Sequence, residues 1–234
     1  MADLPVLLIP GTLCTPDVFK LQAGELAAIA PHVELVRFTL EDSISKMADT
    51  AIESIRAHGA AAVIGFSMGG MVAMEMARKA PQLIGKLALL NSNYQADSAG
   101  NQAARRRHLA QARIGGMEAV IRQHYLDRYL HRPSASAEKL IIDMACELGP
   151  ACFAAQIRAH ATRPDSGATL KSIRCPTLIL GALQDQLCPP LMQTRMAQMI
   201  ENSDLLMLDA CGHFSMLERP ADVNTALRDW YLRN

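Results

Sequence analysis

The sequence has no excess of charge, since 23 lysines and arginines stand against 23 aspartates and glutamates in 234 residues. A chain without a positive field has no means of gathering a polyanion, which argues against nucleic acid as a partner. It also has no run of eighteen apolar residues, and its opening MADLPVLLIPG carries an acid where an export signal needs a basic region. The expectation is a cytoplasmic protein that neither enters nor crosses a membrane. The six cysteines, Cys14, Cys146, Cys152, Cys175, Cys188 and Cys211, include no Cys-x-x-Cys pair, and no histidine lies at zinc spacing from two of them. Most of them read as small buried thiols in a reducing compartment, with no metal implied. Internal repeats, coiled-coil heptads and low-complexity tracts are missing as well.

What the chain does have is apolar mass. Half of its residues are hydrophobic, enough for one domain core with room for an insertion. Apolar runs at 4–9, 33–38, 61–66 and 87–90 read as strands. Between them lie helical patterns at 19–30, 43–58 and 71–79. In the second of these Ile44, Met47, Ala48, Ala51, Ile52 and Ile55 line one side, and Ser43 or Asp42 can cap the start. Strands that are apolar throughout are covered on both faces, so the fold class is α/β with a mostly parallel sheet. From 95 to 170 no strand is recognisable, only helical stretches broken at Gly115-Gly116, Pro133 and Gly149-Pro150. Alternation resumes with strands at 176–180 and 205–208 and helices at 190–199 and 220–232. The reading is a core of 1–94 and 171–234 carrying a helical cap insertion at 95–170.

Chemistry concentrates where strands end. Gly65-Phe66-Ser67-Met68-Gly69 lies between an apolar strand and a helix, matching the Gly-x-Ser-x-Gly turn that holds a serine hydroxyl above a sheet edge. Such a turn makes Ser67 a candidate nucleophile, and the helix start offers N–H groups to a developing oxyanion. A serine hydroxyl needs a base. Of seven histidines, His213 in Asp209-Ala210-Cys211-Gly212-His213-Phe214 directly follows a strand, on the rim where active sites of open parallel sheets gather. Asp185, just past strand 176–180 on the same rim, is placed to orient that imidazole. Asp209 competes but would have to fold back, and Asp97 and Glu218 are weaker choices. For the oxyanion, Met68 N–H is one candidate donor and Thr12 N–H the other, with Leu13 as the alternative, Gly11 letting that loop turn inward. Arg105-Arg106-Arg107 reads as a solvated helix face or a carboxylate partner.

The segments LLIPGTLC, GFSMGG, CPTLILGALQDQLCPP and CGHFSMLERP together resemble the alpha/beta-hydrolase superfamily, in particular bacterial esterases and carbon–carbon hydrolases with a helical cap. The order Ser67, Asp185, His213 is that of the superfamily. The resemblance implies an alpha/beta-hydrolase fold with the cap after strand 87–90. Because the chain begins almost at the strand before the oxyanion loop, about six parallel strands are expected, without the usual first two. Pro10-Gly11 stands where many members have His-Gly, a change that spares a backbone donor.

The expected activity is that of a carboxylesterase-like serine hydrolase acting through an acyl-enzyme on a small uncharged or weakly acidic ester or thioester, without metal or organic cofactor. The same triad would serve a beta-diketone carbon–carbon hydrolase, a lactonase or an amidase. An acyltransferase, in which an alcohol or thiol outcompetes water, and a silent binding protein are further readings. Apolar cap residues from Ile114 to Phe153 either line an acyl pocket or pack the cap. Monomer and homodimer both fit.

Overall fold

Strand polarity decides the architecture. Val6–Ile9 (β1), Ala61–Phe66 (β3) and Thr177–Ala182 (β5) are buried at every residue, and Ile84–Leu90 (β4) at every residue but one. Each must therefore be covered on both faces. The computed structural model describes residues 4–233, leaving only the first three residues, with the N-terminal acid Asp3, and the last outside. Its sheet runs β2-β1-β3-β4-β5-β6, with Val33–Leu35 (β2) and Ser203–Leu208 (β6) as partly exposed edges. All five pairings are parallel.

One face is covered by Lys20–Ala27 (α1), the one-turn Ser215–Glu218 (α9) and Pro220–Leu232 (α10), whose Leu26, Met216, Val223, Leu227 and Trp230 join the core beside Val6, Leu8 and Ile64. Ile44–Ile55 (α2), Met68–Lys79 (α3), Gly167–Ser172 (α7) and Pro190–Met199 (α8) cover the other. Ser43 caps α2 by accepting the Lys46 N–H, and the apolar stripe anticipated on this helix is buried at all six positions.

Two strands start earlier than their apolar runs. In β4 the interruption is Lys86, whose ammonium is buried and donates to the C-terminal carbonyls of α10 at Trp230 and Tyr231, 3.0 and 2.7 Å away. A cation there answers the negative end of a helix, which hydropathy along the chain does not show. In β6 the early residues are polar because the strand is an edge.

Between β4 and β5 the described residues form helices joined by short loops, without a strand. Ala99–His124 (α4) bends at Gly116, Leu126–Tyr129 (α5) is one turn, and Ala135–Thr162 (α6) bends at Gly149, just before Pro150. Both glycines have positive φ, 85° and 71°, which glycine adopts without steric cost. Helix α6 is long and apolar enough to cross a membrane by length and composition, but it is broken at Gly149 and packs on α4. Met117, Ile121, Ile141, Ile142, Met144 and Phe153 are buried in the same cluster as one sheet face. Ile114 departs from both expectations, since it is 92% exposed and neither packs nor lines a pocket. Helix α7 packs against α3 and α8 beneath the sheet.

The loops at the carboxyl ends of β1, β5 and β6 hydrogen-bond the helices that lie between β4 and β5. Here α3 passes so close to β1 that a Cβ on Gly69 would lie 2.0 Å from the Ile9 carbonyl oxygen. Gly69→Ala is expected to cost about 3 kcal/mol or more of stability, read as a fall in the denaturation midpoint. A variant that unfolds at the wild-type midpoint would contradict this contact.

Candidate active site

The turn at the end of β3 is strained. Ser67 has φ 52° and ψ −113°, a conformation that non-glycine residues rarely take. It is held by Ser67 N–H donating to Leu90 O at 2.9 Å and by the Ser92 hydroxyl donating to Ser67 O at 2.8 Å. The flanking glycines are steric necessities, because a Cβ on Gly65 would stand 2.4 Å from Gly69 O. Strand and helix can cross at this distance only without side chains.

The structure brings the three predicted rim residues together. Ser67 Oγ lies 3.0 Å from His213 Nε2, and His213 Nδ1 lies 2.9 Å from Asp185 Oδ2. A carboxylate can only accept, so Nδ1 carries the hydrogen and, in the neutral ring, Nε2 is left as the acceptor facing the serine. Asp185 is saturated: Oδ1 accepts the Leu187 and Cys188 N–H groups at 2.8 and 2.9 Å, and Oδ2 also accepts Asn91 Nδ2 at 3.0 Å. Burial alone would raise its pKa. The charge of His213 and the hydrogen bonds from His213, Cys188 and Asn91 outweigh burial and hold the carboxyl below its ordinary value.

The competing acids point elsewhere. Asp209 is exposed and accepts from Gln184 and its neighbour Ala210. Asp97 is buried against Arg105 and Arg163. Glu218 has a structural part that the sequence reading missed. Its two oxygens accept the Gly212 and His131 N–H groups at 2.9 and 2.7 Å, tying the histidine loop to the inserted helices. His213 N–H donates to Tyr129 O at 2.8 Å across the same seam. A Cβ on Gly212 would meet that oxygen at 2.8 Å, so the loop needs glycine there.

Asn91 was also missed. It is fully buried at the end of β4 with φ 46°, donating to Asp185 while its Oδ1 accepts the Ser215 hydroxyl at 2.6 Å. Its place in Asn91-Ser92-Asn93, directly after a strand on the active rim, was the available signal.

Of the two candidates in the first loop, Leu13 N–H is occupied, donating to Gln156 Oε1 at 2.8 Å. The N–H groups of Thr12 and Met68 meet no acceptor among the described residues. The Thr12 side chain is placed by a relay from the insertion. Arg163 Nη1 lies 2.8 Å from His160 Nδ1, and a guanidinium only donates. His160 therefore carries its hydrogen on Nε2 and donates it to Thr12 Oγ1 at 2.7 Å. Burial first, then Arg105 and Arg163, push the His160 pKa well below its ordinary value, in keeping with a neutral ring. With its oxygen accepting from His160, the Thr12 hydroxyl keeps its own hydrogen free to donate.

That cavity, about 300 Å³, is walled on one side by Thr12, Ser67 and His213 and on the other by residues of the insertion, among them Tyr125, Tyr129 and Phe153. Most other apolar residues of the insertion pack instead. Cys188 lines the cavity and the buried Cys14 and Cys211 do not; burial first raises the pKa of all three thiols, Cys211 to about 12. Asp185, Cys188 and His213 offer atoms within 4.8 Å of one another, the geometry of a metal cluster. The thiol is held protonated by burial and by Asp185, and both carboxylate oxygens are already occupied, so this set does not fit a metal ion.

The sequence matches the model of the alpha/beta hydrolase family over residues 6–226. The chain belongs to the alpha/beta hydrolase family. Among relatives, this alpha/beta hydrolase is 26% identical to "Putative carbamate hydrolase RutD" of Agrobacterium fabrum, over 99% of this chain and 94% of that protein. It is 24% identical to the pimeloyl-[acyl-carrier protein] methyl ester esterase of Aromatoleum aromaticum, over 72% of this chain and 73% of that one. A solved thermophilic esterase from Thermogutta terrifontis superposes with a TM-score of 0.86 at 28% identity, covering 97% of this chain and 89% of its own. The six-stranded parallel sheet with its flanking helices is the alpha/beta-hydrolase fold.

Proposed function

We propose that this alpha/beta hydrolase is a serine hydrolase that cleaves a small-molecule ester or thioester through an acyl-enzyme. The observation that carries the reading is the row Ser67 Oγ, His213 Nε2, His213 Nδ1, Asp185 Oδ2, with spacings of 3.0 and 2.9 Å and the serine in a strained turn. In this mechanism Ser67 Oγ attacks the carbonyl carbon as its proton passes to His213 Nε2. The resulting imidazolium is stabilised by Asp185, which stays ionised. The oxyanion is met by the N–H groups of Met68 and Thr12, with the Thr12 hydroxyl a third donor held in place by His160. Collapse expels the alcohol or thiol, which takes its proton from His213. Water then attacks the acyl-enzyme with His213 as base, releasing the acid and restoring the serine.

Two relatives named as esterases support the ester reading, and a cavity of about 300 Å³ suits a small substrate. Carbamate, lactone and carbon–carbon substrates offer the same electrophile to the same row. A fluorophosphonate probe is expected to add one equivalent of mass at Ser67, with esterase activity falling in step with labelling. A protein that hydrolyses p-nitrophenyl esters undiminished after exhaustive treatment, with Ser67 unmodified, would overturn the proposal.

A further inference from the structure

We infer that the substrate of this site carries a free carboxylate, held by Arg105 and Arg128 on the helical wall of the cavity, while Ser67 attacks an ester or thioester carbonyl of the same molecule. This rests on the serine-hydrolase reading and adds the class of molecule on which it acts. The observation behind it is an imbalance of charge. Three guanidinium groups, Arg105, Arg128 and Arg163, line the cavity, and no aspartate or glutamate does so among the described residues.

One carboxylate lies beneath that wall. Asp97, with a fully buried side chain, stands 2.6 Å from Arg105 Nη1 and 3.4 Å from Arg163 Nη1. It compensates one of two charges and leaves Arg128 with no acidic partner among the described residues. Arg163 is committed: its side chain is 3% exposed, its Nε donates to Gln95 O and its Nη1 to His160. It contributes field rather than contact. Arg105 differs, since it spends one donor on Asp97 while a fifth of its side chain (21%) stays open. The exposed guanidinium of Arg128 donates to no described residue. Two planar forks with spare N–H donors therefore line one small cavity, and a guanidinium fork matches the two oxygens of a carboxylate.

The imidazoles on this wall do not supply the positive charge. Burial, then the neighbouring His124, Arg107, Arg128 and Arg105, lower the His108 pKa to about 4, and His160 is held neutral by burial and its arginines. The charge belongs to guanidinium groups, which stay protonated at any working pH. The triplet Arg105-Arg106-Arg107 thus divides: Arg106 and Arg107 are exposed on α4, and Arg105 turns inward. Uncompensated charge in a site partly closed to water is costly, and a ligand anion offsets that cost.

The test compares each of two acids with its own methyl ester. One pair is p-nitrophenyl hydrogen adipate and methyl p-nitrophenyl adipate, with the carboxylate on the acyl side. The other is 4-butyryloxybenzoic acid and its methyl ester, with the carboxylate on the leaving group. In one pair, wild-type kcat/KM at low ionic strength is expected to favour the acid by about tenfold or more, a preference that Arg128→Gln and Arg105→Gln each lower about tenfold. Thermal melting reports whether either variant is misfolded. A preference for the neutral ester in both pairs, or a ratio unmoved by both substitutions, overturns the inference. Calorimetric binding of adipate to Ser67→Ala protein reads the anion site without turnover. Binding weakened about tenfold by adding Arg128→Gln supports the carboxylate site, and binding indifferent to it overturns the site whatever Ser67 does.

Discussion

Replacing Ser67 with alanine is expected to lower kcat/KM for p-nitrophenyl butyrate by about 10⁴-fold or more, nearly all of it in kcat. Among the described residues the side-chain oxygen hydrogen-bonds only His213, so its loss removes the attacking atom and little else. Alanine at φ 52° carries the same backbone strain as serine, and the bonds that hold the turn run through the Ser67 N–H and carbonyl. The melting temperature should therefore stay near the wild-type value. Residual turnover above the uncatalysed rate is expected, because the Met68 and Thr12 N–H groups still meet an oxyanion when water attacks directly. The measurement is paired: steady-state kinetics for the loss, thermal melting for the fold. A variant within about tenfold of wild-type activity would remove Ser67 from the mechanism.

What made this residue visible beforehand is local. Strand, two glycines and helix all lie within Ala61–Lys79, and the reason for each glycine is a contact inside that stretch or with β1. His213 and Asp185 were legible for a different reason. In a parallel sheet every strand ends on the same rim, so a histidine and an acid that follow strands are brought toward a serine that does the same. The alternation of apolar runs gave that rule its footing. It ran out at Lys86, where a buried ammonium answering a distant helix end broke the apolar run of β4.

The rest of the site was hidden because it depends on contacts between distant segments. Thr12 meets His160 across 148 residues, and Leu13 meets Gln156 across 143. Helical periodicity in 95–170 says which residues avoid water without saying whether they face one another, the sheet or a cavity. Hence Phe153 lines the cavity, Met144 packs, and Ile114 is exposed. Chemistry in the sequence marked the histidine as titratable, but only the guanidinium 2.8 Å from its Nδ1 fixes which nitrogen bears the hydrogen. The helical wall of the cavity is the least legible part, since it is assembled from one face of α4, the turn at α5 and the end of α6.

Asp185→Asn is expected to lower kcat by about 10⁴-fold while leaving the fold intact, and the surroundings of the carboxylate say why. The site of Oδ1 is enclosed by two N–H donors, from Leu187 and Cys188, so the amide oxygen of asparagine must settle there. Its NH2 group is then forced into the site of Oδ2, where it faces His213 Nδ1 and the NH2 of Asn91. Asn91 cannot relieve this by turning over without giving up the Ser215 hydroxyl that its own oxygen accepts at 2.6 Å. Two donors are thus set against each other, and His213 Nδ1 must become an acceptor. The ring hydrogen moves to Nε2 and points at Ser67, so the imidazole can no longer take the serine proton. The native carboxyl has its pKa depressed, so its charge, and the stability that comes with it, persist above the ordinary carboxylate value and are lost only as pH falls through the lower folded-state value. Wild type and variant should accordingly differ through the mildly acidic range as well as at neutrality. A kcat–pH profile of the variant holding at about a tenth of wild type or better would mean that the acid does not set the tautomer.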